Sequence, residues 1–210
     1  MATQKPQIRS MFATPVCVHF LPVAQEVNAE LRPFVIDRMG VNGSIDTHGQ
    51  GWRSASDLES WGGVPVQTLF RMLKELADGM TSTRSGARVT FEWNISACAA
   101  VRQKGDHVEL SARPGAMWSG TYFVDDGYAK SDDETLGGEV ELADPRGPLP
   151  AMVAPHLAFR IPGGAAAGYV EIIRPQSGMI VLHPSWQARG ERRFEGAGQR
   201  VVVDFDLLPP

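Results

Sequence analysis

Cysteine is nearly absent from this chain: of 210 residues, only Cys17 and Cys98 carry thiols. A disulfide framework is therefore not what holds it together. A chain of this length needs none, because roughly 70% of its unfolded surface can be buried on folding. Both cysteines stand in apolar, strand-like runs, where a free thiol behaves as a small hydrophobe. Long hydrophobic runs are missing too, and nothing approaches the ~20 apolar residues of a membrane span. The opening Met-Ala-Thr-Gln-Lys-Pro-Gln-Ile-Arg is polar and lacks the pattern of a signal peptide. These absences predict a cytoplasmic protein with no membrane partner. An excess of positive charge is also lacking: 20 basic residues face 24 acidic ones, a formal −4. That balance argues against a nucleic-acid partner and leaves a homo-oligomer open. No Gly-x-Ser-x-Gly elbow occurs, and the Gly-rich stretch 162–168 lacks the Lys-Ser/Thr of a phosphate loop, so neither a serine hydrolase nor a P-loop enzyme is expected.

What the chain does have is turns. Its 22 Gly and 15 Pro imply many short strands. Residues 1–10 read as a flexible arm, and 11–208 as a single domain. Pro15–Leu21 is apolar and β-branched, the pattern of a strand. Val27, Leu31, Phe34 and Val35 fall at helical spacing over 24–39, with Pro33 as a flaw. Residues 40–63 show no periodicity and read as loop. Val66, Leu69, Phe70, Leu73 and Leu76 mark a second helix, with Pro65 in its first turn and Gly79 after its end. From residue 88 the pattern is β: strands are predicted at 88–95, 107–112, 118–124, 138–144, 169–173, 179–182 and 201–205, with a long loop over 145–168. The fold class expected is mainly β with flanking helices: a double-stranded β-helix, or jelly roll, backed by two N-terminal helices.

The C-terminal stretch is the most specific. Gly178-Met-Ile-Val-Leu-His-Pro-Ser-Trp-Gln-Ala-Arg189 is followed by Arg200-Val-Val-Val-Asp-Phe-Asp206, and a second block reads Ser111-Ala-Arg-Pro-Gly-Ala-Met-Trp-Ser-Gly-Thr-Tyr-Phe-Val124. With Phe12-Ala-Thr-Pro15, Gly51-Trp-Arg-Ser54, Trp93-Asn94 and Asp144-Pro-Arg146, these blocks run colinearly over 11–206. The set resembles the iron(II)/2-oxoglutarate-dependent oxygenases, in particular a bacterial and phage branch with a His-x-His-Pro…Ser-Gly-x-Tyr signature. The resemblance implies an iron(II) centre with open positions for 2-oxoglutarate and oxygen. It also implies an arginine gripping the cosubstrate's distal carboxylate.

Carried over by position, the first two ligands fall on Ser111 and Arg113 and the distal histidine on Arg189, while Arg200 matches the carboxylate-gripping arginine. Ser119 and Tyr122 match the Ser-Gly-x-Tyr strand, and Trp186 the aromatic after Pro-Ser. A guanidinium cannot ligate iron, so no metal cofactor is expected at the family positions. The resulting expectation is a pseudo-oxygenase that binds a small carboxylate or other anion through Arg200, Arg189 and Arg113, near Ser119 and Trp186. Buried arginines would then need anionic partners, with Asp144 and Glu109 as candidates. Three alternatives remain. One is an active iron(II)/2-oxoglutarate dioxygenase with displaced ligands from His107, Glu109, His183 or Asp144, since 107, 109, 111 and 113 share one face of a regular strand. Another is a metal-independent isomerase or cyclase using Tyr122 or His183 as acid/base. The last is a structural partner of an active homologue.

Overall fold

The computed structural model describes residues 11–42, 51–148, 152–157, 159 and 168–210. The arm predicted at 1–10 and half of the loop predicted at 145–168 lie outside the described residues. The chain runs β1 (Cys17–Phe20), α1 (Ala24–Asn42), β2 (Trp52–Arg53), α2 (Leu58–Trp61), α3 (Gly63–Met80), β3 (Asn94–Arg102), β4 (Val108–Ser111), β5 (Trp118–Asp125), a 3-10 turn (Glu134–Leu136), β6 (Val140–Ala143), β7 (Val170–Ile173), β8 (Met179–Pro184), β9 (Arg189–Glu191) and β10 (Arg200–Leu208). Two antiparallel sheets result, a six-stranded one ordered β1-β8-β5-β10-β3-β2 and a four-stranded one ordered β4-β9-β6-β7. From β3 onward successive strands alternate between the sheets except at β6 and β7, which pair with each other in the smaller sheet; this is the winding of a double-stranded β-helix.

The helices cover the outer face of the larger sheet. Val27, Leu31 and Val35 of α1 and Val66, Leu69, Phe70 and Leu73 of α3 are buried against it. Phe34 falls off this stripe and is half exposed. Pro33 is accommodated inside α1, which continues to Asn42. Helix α3 includes Gly79 and ends at Met80, where the Thr81 hydroxyl donates to the Ala77 carbonyl (2.6 Å). The stretch expected as loop over 40–63 contains the end of α1, β2, α2 and the first residue of α3.

One strand is displaced from its predicted position. Residues 88–93 do not form a strand. Asp78 at the end of α3 accepts from the Phe91 amide (3.1 Å) and from Trp93 Nε1 (2.8 Å), which ties this segment to the helix. The strand starts at Asn94 and runs through Ala97-Cys-Ala-Ala100, where small residues fit between β2 and β10 and are buried whichever way they face. Burial pushes the Cys98 thiol up to about 11, as expected of an inert core cysteine. No helix among the described residues is long and apolar enough to cross a membrane.

The strand period divides β10 between two environments. Val201, Val203, Phe205 and Leu207 face the helices, while Val202 joins Ala100, Phe123, Val140, Leu142 and Val181 between the sheets. Gly120 of β5 is needed where Phe205 crosses it: an added Cβ would sit 2.3 Å from the Val181 carbonyl and 2.6 Å from Phe205 Cζ. Gly120→Ala should therefore destabilise the fold by about 1–3 kcal/mol, the usual cost of overpacking. The expected readout is a lower denaturant midpoint with an unchanged slope. Combining it with Phe205→Leu should recover part of the loss.

Candidate functional site

The inner face of β10 carries Arg200, Asp204 and Asp206 around Val202, and the strands beside and across from it supply the counter-charges. Arg102, opposite Arg200 in the β3–β10 register, places Nη2 at 3.2 Å from Asp204 Oδ2 and Nε at 3.5 Å from Glu191 Oε2. From the other sheet, Arg189 Nη2 bonds Glu191 Oε1 and its Nη1 lies 4.0 Å from Asp204. Thr121 of β5 donates to Asp204 (2.7 Å) and Ser119 to Asp206 (2.6 Å). Arg113 reaches Asp206 and Arg53 reaches Asp204, at 3.5 and 3.4 Å. Five guanidiniums thus enclose three carboxylates. Arg102, Arg189, Glu191, Arg200 and Asp204 are all buried, while Arg53 and Arg113 are about one third exposed.

Burial alone would raise the Glu191 and Asp204 carboxyls. The guanidiniums of Arg102 and Arg189 reverse that, joined by Arg200 at Glu191 and by Arg53 and Arg113 at Asp204, and hold both well below the ordinary carboxylate range.

A cavity of about 20 Å³ lies at one end of this cluster, lined by Val108, Ser111, Arg113, Ser119, Gly120, Thr121, His183 and Arg189. Two local features bring Arg113 into it. The Pro184-Ser185 turn clamps the segment before β5: the Arg113 amide donates to the Ser185 carbonyl (2.8 Å) and the Ser185 amide to Met117 (3.1 Å). Strand β4 also carries an irregularity between Val108 and Ser111, so that both of these residues line the cavity. That irregularity corrects the expectation that 107, 109, 111 and 113 share one face.

His183 is buried beside the two arginines, with Nδ1 3.0 Å from the Pro184 carbonyl. Desolvation, reinforced by Arg189 and Arg113, lowers its pKa to about 4, so the ring is neutral near pH 7.

Of the residues singled out from sequence, Ser111, Arg113, Ser119, His183 and Arg189 come together. Tyr122 does not join them. It faces the helix layer on the opposite side of β5, donates to Asn28 Oδ1 (2.5 Å), and has its phenol pKa raised by burial. The two acid/base candidates, Tyr122 and His183, therefore lie on opposite faces of the sheet. Trp186 is half exposed on its turn and lines no part of the cavity.

Arg200 turns away into a closed box. Its Nε donates to the Asp126 carbonyl (2.9 Å) and Nη1 to Gly138 (2.5 Å), and its guanidinium carbon lies 4.4 and 5.0 Å from the Phe194 and Tyr128 ring centres. Gly138, at φ +74°, is required there, since a Cβ would meet both Arg200 terminal nitrogens at 2.7 Å.

The acidic partners named from sequence were not the ones used. Glu109 is exposed, and Asp144 is engaged by Arg146, which holds it down to about 2. Arg102, Glu191, Asp204 and Asp206 were missed. For the two aspartates a signal existed, because they share strand parity with Arg200.

A family model described as "Putative 2OG-Fe(II) oxygenase" matches residues 97–206. The chain belongs to this family. The matched segment begins within β3 and ends within β10, so it contains β4 to β9 and most of β3 and β10, and leaves out β1, β2 and the three α-helices. Solved oxygenases share the fold. A Pseudomonas putida prolyl-4-hydroxylase aligns at TM-score 0.61 and 16% identity, covering 94% of this chain and 92% of its own. A Trichoplax adhaerens prolyl hydroxylase, solved with a hypoxia inducible factor peptide fragment, aligns at 0.62 and 10%, covering 92% and 83%. HygX from Streptomyces hygroscopicus, solved with nickel and 2-oxoglutarate, aligns at 0.59 and 12%, covering 93% and 83%. No curated protein sequence matches the chain.

The residues at the cavity of this family member do not fit a metal. Its two charged linings are cations, His183 is its one imidazole, and no group of three or more His, Cys, Asp or Glu side chains among the described residues is placed to hold an ion. His107, Glu109 and His183 in particular are not brought together.

Removing one partner from a buried ion pair leaves an uncompensated charge. Asp204→Asn should therefore cost about 3–5 kcal/mol of stability at neutral pH, measured by denaturant unfolding. The pH dependence has a definite sign. The folded-state pKa values of Glu191 and Asp204 are depressed, so their contribution is complete above the unfolded values near 4 and is lost as pH falls through the folded ones. Between pH 4 and 2 the parent protein should lose stability more steeply than Asp204→Asn.

Proposed function

We propose that this chain is a pseudo-oxygenase: a double-stranded β-helix whose iron centre is replaced by a fixed arginine–carboxylate cluster, and which binds a small anion without metal. One observation carries the reading. Arg113 and Arg189, which the family resemblance aligns with ligand positions, line the cavity and are already paired with carboxylates of their own chain. A guanidinium has no lone pair to offer a metal and stays protonated at any accessible pH. The third aligned position, Ser111, is a weak ligand at best.

The anion would enter at the partly exposed end, past Ser111 and Arg113. Arg200 is not part of that mouth. Its Nε and Nη1 are turned to Asp126, Gly138 and Glu191, and its Nη2 is buried without a hydrogen-bond partner among the described residues. The binding residues in this reading are Arg113 and Arg189, with Ser111 and Ser119 beside them.

The test is calorimetric titration of 2-oxoglutarate into anaerobic protein, with and without Mn(II) standing in for iron(II). The expected result is no heat that depends on Mn(II), and no consumption of 2-oxoglutarate when iron(II) and oxygen are supplied. Stoichiometric Mn(II) binding that creates a 2-oxoglutarate site would overturn the reading and restore a working oxygenase.

A further inference from the structure

The arginine-lined cavity has a size that restricts its ligand. About 20 Å³ is space for roughly one water-sized occupant. The enclosed space favours a monoatomic anion, whereas a carboxylate or phosphate group would have to extend into the open mouth at Ser111. The donors around the space are incompletely used. Arg113 spends Nη1 on Asp206, and Arg189 spends Nη2 on Glu191 with Nη1 4.0 Å from Asp204. The Ser119 and Thr121 hydroxyls are committed to Asp206 and Asp204. The Ser111 hydroxyl has no protein partner among the described residues, and Ser111 opens to solvent.

The charge balance points the same way. Among the buried charges Arg102, Arg189 and Arg200 face only Glu191 and Asp204, an excess of one positive charge where unbalanced charge is costly, while Arg53, Arg113 and Asp206 at the margin are partly exposed. A water molecule would fill the space without correcting that balance, whereas one negative ion would do both.

We infer that the cavity between Arg113, Arg189, Ser111 and His183 is a binding site for a single monoatomic anion of the halide class. The inference rests on the metal-free reading above and narrows its ligand. The ion would be held by guanidinium N–H groups from both sheets, Arg189 on β9 and Arg113 ahead of β5, with the Ser111 hydroxyl at the entrance. Bound there, it would couple the smaller sheet to the end of the larger one.

The test uses metal-free protein in EDTA, with sodium bromide exchanged for sodium gluconate at constant ionic strength. The thermal midpoint should rise saturably with bromide. Arg113→Gln should weaken the apparent bromide affinity by at least about tenfold, the scale of one charge-assisted hydrogen bond. Crystals grown in bromide should show an anomalous peak between Arg113 and Arg189. If Arg113→Gln does not fold, Ser111→Asp places a fixed negative charge at the entrance and should abolish the bromide response.

A response equal in parent and variants, or linear in salt, would mean an adventitious ion only and would overturn the proposal. Metal-free binding of 2-oxoglutarate with no bromide response would overturn the halide assignment alone. Mn(II)-dependent 2-oxoglutarate binding would overturn the metal-free reading together with it.

Discussion

Glu191 is the residue on which the arrangement between the sheets turns. It sits on the three-residue strand β9, is buried, and meets Arg102, Arg189 and Arg200 at once. Arg102 and Arg200 come from the larger sheet and Glu191 from the smaller, so this carboxylate joins the two layers. Asp204 makes the reciprocal connection, held by Arg53 and Arg102 in its own sheet and approached by Arg189 from the other. Such a cluster is not expected to make the protein more stable than a well-packed apolar core would, because desolvating the ions offsets most of their attraction. What it provides is register. A one-residue slip of β10 would turn Arg200, Asp204 and Asp206 into the helix layer and bring Val201, Val203 and Phe205 between the sheets. An apolar interior would tolerate that slip far better than this one does.

The surroundings of Arg200 illustrate how a family position can be kept while its surroundings serve a different end. The guanidinium is fully buried, donates to two backbone carbonyls and lies against aromatic rings. The backbone makes room through Gly138, and Tyr128 donates to the Gly137 carbonyl (2.8 Å), closing one wall. Together with the ion pair to Glu191, these contacts give Arg200 a structural role that needs no cosubstrate. On the pseudo-oxygenase reading, this explains why an arginine at the start of β10 remains useful in a chain with no iron to serve.

Much of this was readable from sequence, and the exceptions have physical causes. Helix α3 announced itself because Val66, Leu69, Phe70 and Leu73 bury one stripe against one sheet. Strand β3 did not, because a central strand covered on both faces, with small residues such as Ala97, Ala99 and Ala100, shows no alternation. Strand β9 is too short to leave a pattern, and so Glu191 was not recognised as a buried acid. The irregularity in β4 shifts which residues face inward without any glycine or proline to mark it. Arg113 and Arg189 were identified through the family blocks, and the requirement that buried arginines meet carboxylates held. The partners proved to be Glu191, Asp204 and Asp206 rather than Glu109 or Asp144. Parity along β10 would have named two of the three had it been followed outward from Arg200.

The similarity to solved oxygenases, at 10–16% identity, establishes the frame and leaves the chemistry to the site. In a metal-centred member of such a fold the protein supplies lone pairs, and an exchangeable cation supplies charge, open coordination positions and electrons. Here the cations are side chains fixed to the strands, and the protein's own carboxylates are their counter-ions. A guanidinium offers positive potential and directed N–H groups, with no vacant coordination position and no accessible redox change. A ligand held by Arg113 and Arg189 is therefore held by charge and hydrogen bonds alone. His183, the one titratable neighbour able to move a proton, is kept neutral by burial and by those same arginines. On the pseudo-oxygenase reading proposed above, the arrangement would serve reversible capture of an anion, and the signature of that capture would be a change in stability or association on binding.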